Sequence, residues 1–152
     1  MSEYKIEKDR FSVKLLFSDG TVRDGYIFLS FHAAHHEGRE LVKDVLNSEE
    51  QFIPIDFPGE STKLVNKRDI LTISFPLNEH KAEHSMPAFT GVEVAIYLSN
   101  SKRLDGRFIF LLPIHASRVK DFLNQRESFL ELRKDEEICL INKDHIAVVE
   151  ER

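Results

Sequence analysis

The chain has 152 residues, 41% hydrophobic and 31% charged, with a formal net charge of −5, one cysteine and no tryptophan. This is ordinary globular composition, and it excludes an intramolecular disulfide and a CxxC metal knuckle. Charge is evenly spread, with 10 basic and 13 acidic side chains in residues 1–75 and 11 and 13 in residues 76–152, so neither half has the basic excess that non-specific nucleic-acid binding draws on.

The opening stretch, Met1 to Arg10, is charged and has no apolar signal core. No apolar run nears 18 residues, so the chain reads as cytoplasmic with no membrane contact. Phe11, Val13, Leu15 and Phe17 alternate with mostly polar neighbours, which predicts a strand with one apolar face. Ser18-Asp19-Gly20-Thr21 predicts a hairpin turn, and a second strand runs through Gly25 to Phe31. Leu41, Val42, Val45 and Leu46 have helical spacing, with Asn47 where the helix stops and a left-handed residue is expected. Phe52 to Ile55 predicts a third strand, with Pro54 marking an edge or a break. Leu64 to Ile73 predicts strand, tight turn over Asn66-Lys67, and strand.

The second half says much the same again. Val13–Phe31 aligns with Val94–Leu112, Val42–Ile55 with Val119–Leu132, and Leu64–Ile73 with Leu140–Val149. Of these 43 pairs 15 are identical, against about 3 by chance at average amino-acid usage. Gly25 and Gly106 fall at one register inside strand patterns, which suggests a bulge or sharp bend. Ser117 is placed to cap the second helix, and Asn47 recurs as Asn124. Residues 76–91, punctuated by Pro76, Pro87 and Gly91, have no counterpart. The chain therefore divides into a first unit at 1–75, a linker at 76–91 and a second unit at 92–152, each an all-β unit with one short helix.

A hairpin, a glycine-bent strand and a closing strand–turn–strand resemble the SH3-like small barrels. Val13 to Gly20 with Gly25-Tyr26-Ile27, and Leu64 to Ile73, resemble the opening and closing segments of the Sm-like family. The resemblance implies two tandem small β-barrels. It carries over no RNA-binding residue. The Asp-x-x-x-Asn element of an Sm base pocket is replaced by Phe31-His32-Ala33-Ala34-His35-His36, and Asn-Lys stands where that family has Arg-Gly or Lys-Gly.

The residues offer little chemistry. His32, His35, His36 and Glu37 lie in a stretch of the first unit that is four residues longer than its counterpart, and His80 and His84 lie in the linker; imidazole and carboxylate suit zinc, but a solvated loop is the simpler account. No nucleophile elbow, P-loop or GxGxxG occurs. Asp44 and Asp121 read as charges beside a helix, and Cys139 as a buried spectator thiol. Arg103, Arg107, Arg118 and Lys120 are the residues from which an RNA-binding stripe would be built. Ile27, Leu29, Phe52, Ile70, Phe108, Phe110, Phe129 and Ile146 recur at strand spacing and are expected in the core. Tyr26, Phe28, Ile109 and Leu111 lie on the opposite strand face and are expected to form an apolar interaction surface. The sequence thus points to a non-catalytic protein-binding or adaptor module with a protein partner or a second copy, and with no cofactor or small-molecule substrate. An Sm-like RNA binder and a metal-dependent sensor or enzyme are the alternatives.

Overall fold

The computed structural model describes residues 8–33, 37–77, 89–111 and 119–152, with the side chains of 89, 90, 110 and 111 outside that description. The fold is all-β. Its strands are β1 (Lys8–Phe17), β2 (Val22–Ser30), β3 (Phe52–Asp56), β4 (Lys63–Asn66), β5 (Ile70–Pro76), β6 (Phe89–Leu98), β7 (Arg103–Leu111), β8 (Phe129–Lys134), β9 (Glu137–Asn142) and β10 (Ile146–Glu151). Two one-turn helices, α1 (Val42–Leu46) and α2 (Val119–Leu123), interrupt them.

All ten strands belong to one antiparallel sheet in the order β10-β6-β7-β8-β9-β5-β1-β2-β3-β4. The expectation of two closed barrels is therefore corrected. Closure would remove the free edges of each half, but the sheet stays open at β10 and β4, and β5 meets β9 of the other half instead. Most of the predicted linker, 78–88, lies outside the described residues.

Each half nevertheless has the same strand order, and the pairing falls in the same register under the repeat alignment. Val13 faces Gly25 as Val94 faces Gly106, and Phe52 faces Asn66 as Phe129 faces Asn142. The register slips at corresponding places too, past Leu71 in the β1–β5 ladder and past Ala147 in the β6–β10 ladder. The turns match likewise. Asp19 and Asn100 each accept a backbone N–H two residues on, and Gly20 (φ 91°) and Ser101 (φ 73°) take the left-handed position.

The repeated glycines work differently from expectation. No register shift occurs at Gly25 or Gly106. What they permit is close approach of the next strand. A Cβ on Gly106 would stand 2.6 Å from the Arg133 carbonyl oxygen, and one on Gly25 would stand 3.0 Å from Ile55 Cγ2. Just here the ladders to the third strand are short, Tyr26–Asp56 and Ile27–Ile55 in one half and Arg107–Arg133 in the other. Pro54, which cannot donate, lies just outside that ladder, which accounts for the break its sequence signals.

The apolar strand faces gather into two clusters, and each borrows from the other half. Phe129, Ile138 and Leu140 pack into the first, beside Ile70 and Ile73; Leu71 packs into the second, beside Ile141. Phe11 and Phe75 meet edge-to-face with centroids 5.3 Å apart in the first. Ile27, Leu29, Ile70, Phe108 and Phe129 are core as expected, whereas Phe52 is 52% exposed and Ile146 is only half-buried; the Phe110 side chain is outside the described set. The reason for both departures is position. Phe129 lies at the junction of the halves and is covered by the first cluster, while Phe52 and Ile146 lie beside the free edges β4 and β10. Phe129→Ala is expected to lower the unfolding free energy by about 3–5 kcal/mol, because a large cavity remains. Phe52→Ala should cost under about 1 kcal/mol. Urea unfolding of dilute protein compares the two, and equal losses would contradict the burial difference.

Candidate interaction edges

The two halves join through β5 and β9, with Thr72 facing Ile141, Ile73 facing Leu140, Ser74 facing Cys139 and Phe75 facing Ile138. Side chains seal the junction. Asn47, just past α1, accepts the N–H groups of Ser128 and Phe129 on its Oδ1, both at 2.8 Å, and its Nδ2 donates to the Phe129 carbonyl. Asn47 ends α1 as its C-cap, as expected, but its φ of −99° is not left-handed, and its side chain adds this clamp. The counterpart Asn124 is exposed, and its Nδ2 donates to the Lys120 carbonyl at 2.8 Å. Asn142 is buried and donates to the carbonyls of Lys67 and Ile70 across the junction, while its Oδ1 accepts the Asp144 N–H. Asn66 makes the equivalent local bond to the Arg68 N–H.

The repeated Lys that follows ties the closing turn to a helix end. Lys67 Nζ donates to the carbonyls of Val45, Leu46 and Ser48, the last at 2.9 Å, and Lys143 Nζ donates to that of Gln125 at 2.5 Å. These carbonyls lie at or just past the C-terminal ends of the short helices, where a cation is favourably placed. Burial lowers the Lys67 pKa, and the nearby Glu50 carboxylate acts in the opposite sense. The Asp44 carboxylate accepts the Leu41 N–H at 2.8 Å at the start of α1. Ser117 lies outside the described residues.

Three of the four predicted surface residues can be placed: Tyr26, Phe28 and Ile109 are half-buried, and the Leu111 side chain is not among those described. The Arg10 guanidinium stacks 4.2 Å over the Tyr26 ring and so covers part of it. The apolar side chains that do stand open are elsewhere. Leu64 is 72% exposed on β4, beside Phe52, and Val148 is 55% exposed on β10. A groove of about 550 Å³ runs along the β4 edge, lined by Phe17, Phe52, Leu64, Val65 and Asn66 among others. The sequence does not mark Leu64 and Val148 as open, and it places Phe52 in the core, because recurrence alone does not tell which strand ends the sheet. Val22 and Phe31 are exposed as well.

The other candidates are dispersed or outside the described residues. His32 is exposed; His35, His36, His80 and His84 are not described, and among the described residues no three His, Cys, Asp or Glu side chains are grouped to hold a metal. Arg103 pairs with Asp105 at 2.9 Å, and Arg152 reaches the same carboxylate. The hydrogen bond from Arg103 lowers the Asp105 pKa. Arg107 and Lys120 are exposed and Arg118 is not described. No helix among the described residues is long and apolar enough to cross a membrane. Compared with protein-family models, curated proteins and solved structures, the chain matches none.

Cys139 sits in β9 at the centre of the junction, and burial pushes its thiol up to about 12. The folded value lies above the ordinary 9.0, so the stability linked to this group is full below pH 9 and is lost as pH rises toward 12. The difference in unfolding free energy between the wild type and Cys139→Ala should therefore shrink over that interval. At pH 8 the native thiol should resist alkylation and react only when the junction opens, so a rate that does not change on adding urea would contradict this placement.

Proposed function

We propose that this chain is a non-catalytic protein-interaction module, built from two SH3-like or Sm-like units by internal duplication, that binds other protein chains along its open sheet edges. The observation that carries the reading is the exposure of Leu64, Phe52 and Val148 on or beside β4 and β10. Strand edges present unpaired backbone donors and acceptors, and proteins commonly blunt or cover them. Here apolar side chains accompany the bare backbone, which is the combination that added strands recognise, with main-chain bonds for affinity and side-chain pockets for selectivity. The coinciding registers of the two halves support the duplication. The bonds of Asp44, Lys67 and Asn142 to backbone groups support a structural role for these polar repeats.

A selection of extended peptides displayed at random against the immobilised protein tests the reading. Recovered peptides should lose at least tenfold in affinity for Leu64→Glu or Val148→Glu and none for Lys102→Glu, on an exposed turn. Peptides indifferent to both edge substitutions would move the site elsewhere. Tight, salt-sensitive binding of RNA by the same protein would replace the reading with nucleic-acid recognition.

A further inference from the structure

The junction inside the chain joins two different edges. The first half contributes its last strand, β5, and the second half contributes its fourth, β9. What remains free is the complementary pair: the second half's last strand, β10, and the first half's fourth, β4. We infer that a second copy of the chain covers these edges by the same contact, β10 of one molecule adding antiparallel to β4 of the next. This rests on the proposal that the edges are the binding sites, and it names their occupant.

Carrying the β5–β9 register through the repeat alignment fixes the pairing. Thr72–Ile141 becomes Val148–Val65, Ile73–Leu140 becomes Val149–Leu64, and Ser74–Cys139 becomes Glu150–Lys63. Two apolar pairs and one pair of opposite charge result, each favourable across antiparallel strands. No residue has to change for the edges to fit.

Burial points the same way from both sides. On the β4 side, Leu64 is 72% exposed where its counterpart Leu140 is 1% exposed, and Phe52 is open where Phe129 is covered. On the β10 side, Ile146, Val149 and Leu123 are only partly buried at the rim of the second cluster, whereas Ile70, Ile73 and Leu46 are fully enclosed in the first. The first cluster is closed by Phe129 and Leu140 from the other half. The second lacks that cover, and Phe52 and Leu64 of another copy are the side chains in position to supply it. The clamps have counterparts too. Asn124 of one copy stands where Asn47 does and would accept the N–H groups of Gln51 and Phe52 of the next, as Asn47 accepts those of Ser128 and Phe129. Asn66 Nδ2 would donate to the Lys143 and Ile146 carbonyls, as Asn142 does to those of Lys67 and Ile70.

Such a contact is head-to-tail, so repetition gives a ring if the rotation closes and a filament if it does not. Analytical ultracentrifugation of the full chain at 1–300 µM (about a working range that spans weak association) tests it with Leu64→Asp, which blocks the β4 edge, and Val148→Asp, which blocks β10. Both positions are exposed, and thermal unfolding of each variant verifies its fold. The wild type should sediment as oligomers and each variant as a monomer. An equimolar mixture of the two variants should form a dimer and nothing larger, because one good β10 and one good β4 remain. A monomeric wild type, an oligomeric single variant or a mixture that stays monomeric would overturn the inference. A monomeric wild type whose displayed-peptide ligands still depend on Leu64 would overturn this inference alone and leave the edge-binding reading standing.

Discussion

The antiparallel pairing of β5 with β9 is the contact on which the rest of the molecule depends. It converts two five-stranded halves into one sheet, and it determines which apolar residues are inside. Phe129, Ile138 and Leu140 pack into the first cluster, which the β5–β9 pairing brings to them. Leu71, pushed out of the ladder by the register slip in β5, enters the second cluster in return. Apolar burial of this kind is the dominant favourable term in folding, so the two halves are stabilised as a pair. The polar seal follows from it. Asn142 satisfies buried carbonyls of Lys67 and Ile70, where an unsatisfied buried group would cost about 1–3 kcal/mol, and Asn47 adds bonds nearer the surface.

Much of the local structure was legible in the sequence because it rests on neighbours in the chain. The β1–β2 and β6–β7 hairpins follow from period-two alternation and from turn residues that tolerate positive φ. The Asn-Lys turns follow from an asparagine that accepts a backbone N–H two residues on. What the repeat concealed was asymmetry. Aligned positions imply equal environments, yet Phe52 and Phe129 differ completely in exposure. The difference arises from a strand pairing 65 positions apart, Ser74 with Cys139, on which no local pattern bears. Tyr26, Phe28 and Ile109, expected to form a surface, are each half-buried. The Arg10 guanidinium covers part of the Tyr26 ring, and among the described residues the most open large apolar side chain, Leu64, lies on the edge strand β4.

Recurrence in sequence also proved to carry different duties in the two halves. Asn47 clamps the junction while Asn124 bonds within its own helix turn. Lys67 gathers three carbonyls and Lys143 one. Gly20 takes the left-handed turn position freely, whereas Ser101 takes it with a Cβ, at a cost of about 1–2 kcal/mol. Identical letters therefore mark identical backbone geometry more dependably than identical contacts. The aligned ladders and turns coincide; the tertiary surroundings do not.

The separation of β5 from β9 along the chain has a consequence for the order of events in folding. The β1–β2 and β6–β7 hairpins close loops of a few residues and form on the microsecond scale of about 1–10 µs. The pairing of Ser74 with Cys139 requires a far longer loop, whose closure entropy must be offset before any long-range contact is gained. Until then Phe129 and Leu140 lack the cover that the first cluster gives them. During synthesis β5 emerges before β9, so its pairing edge waits for a partner until residues 137–142 have been made. The apolar edge that defines the finished molecule is therefore the one most in need of shielding while the molecule is being made.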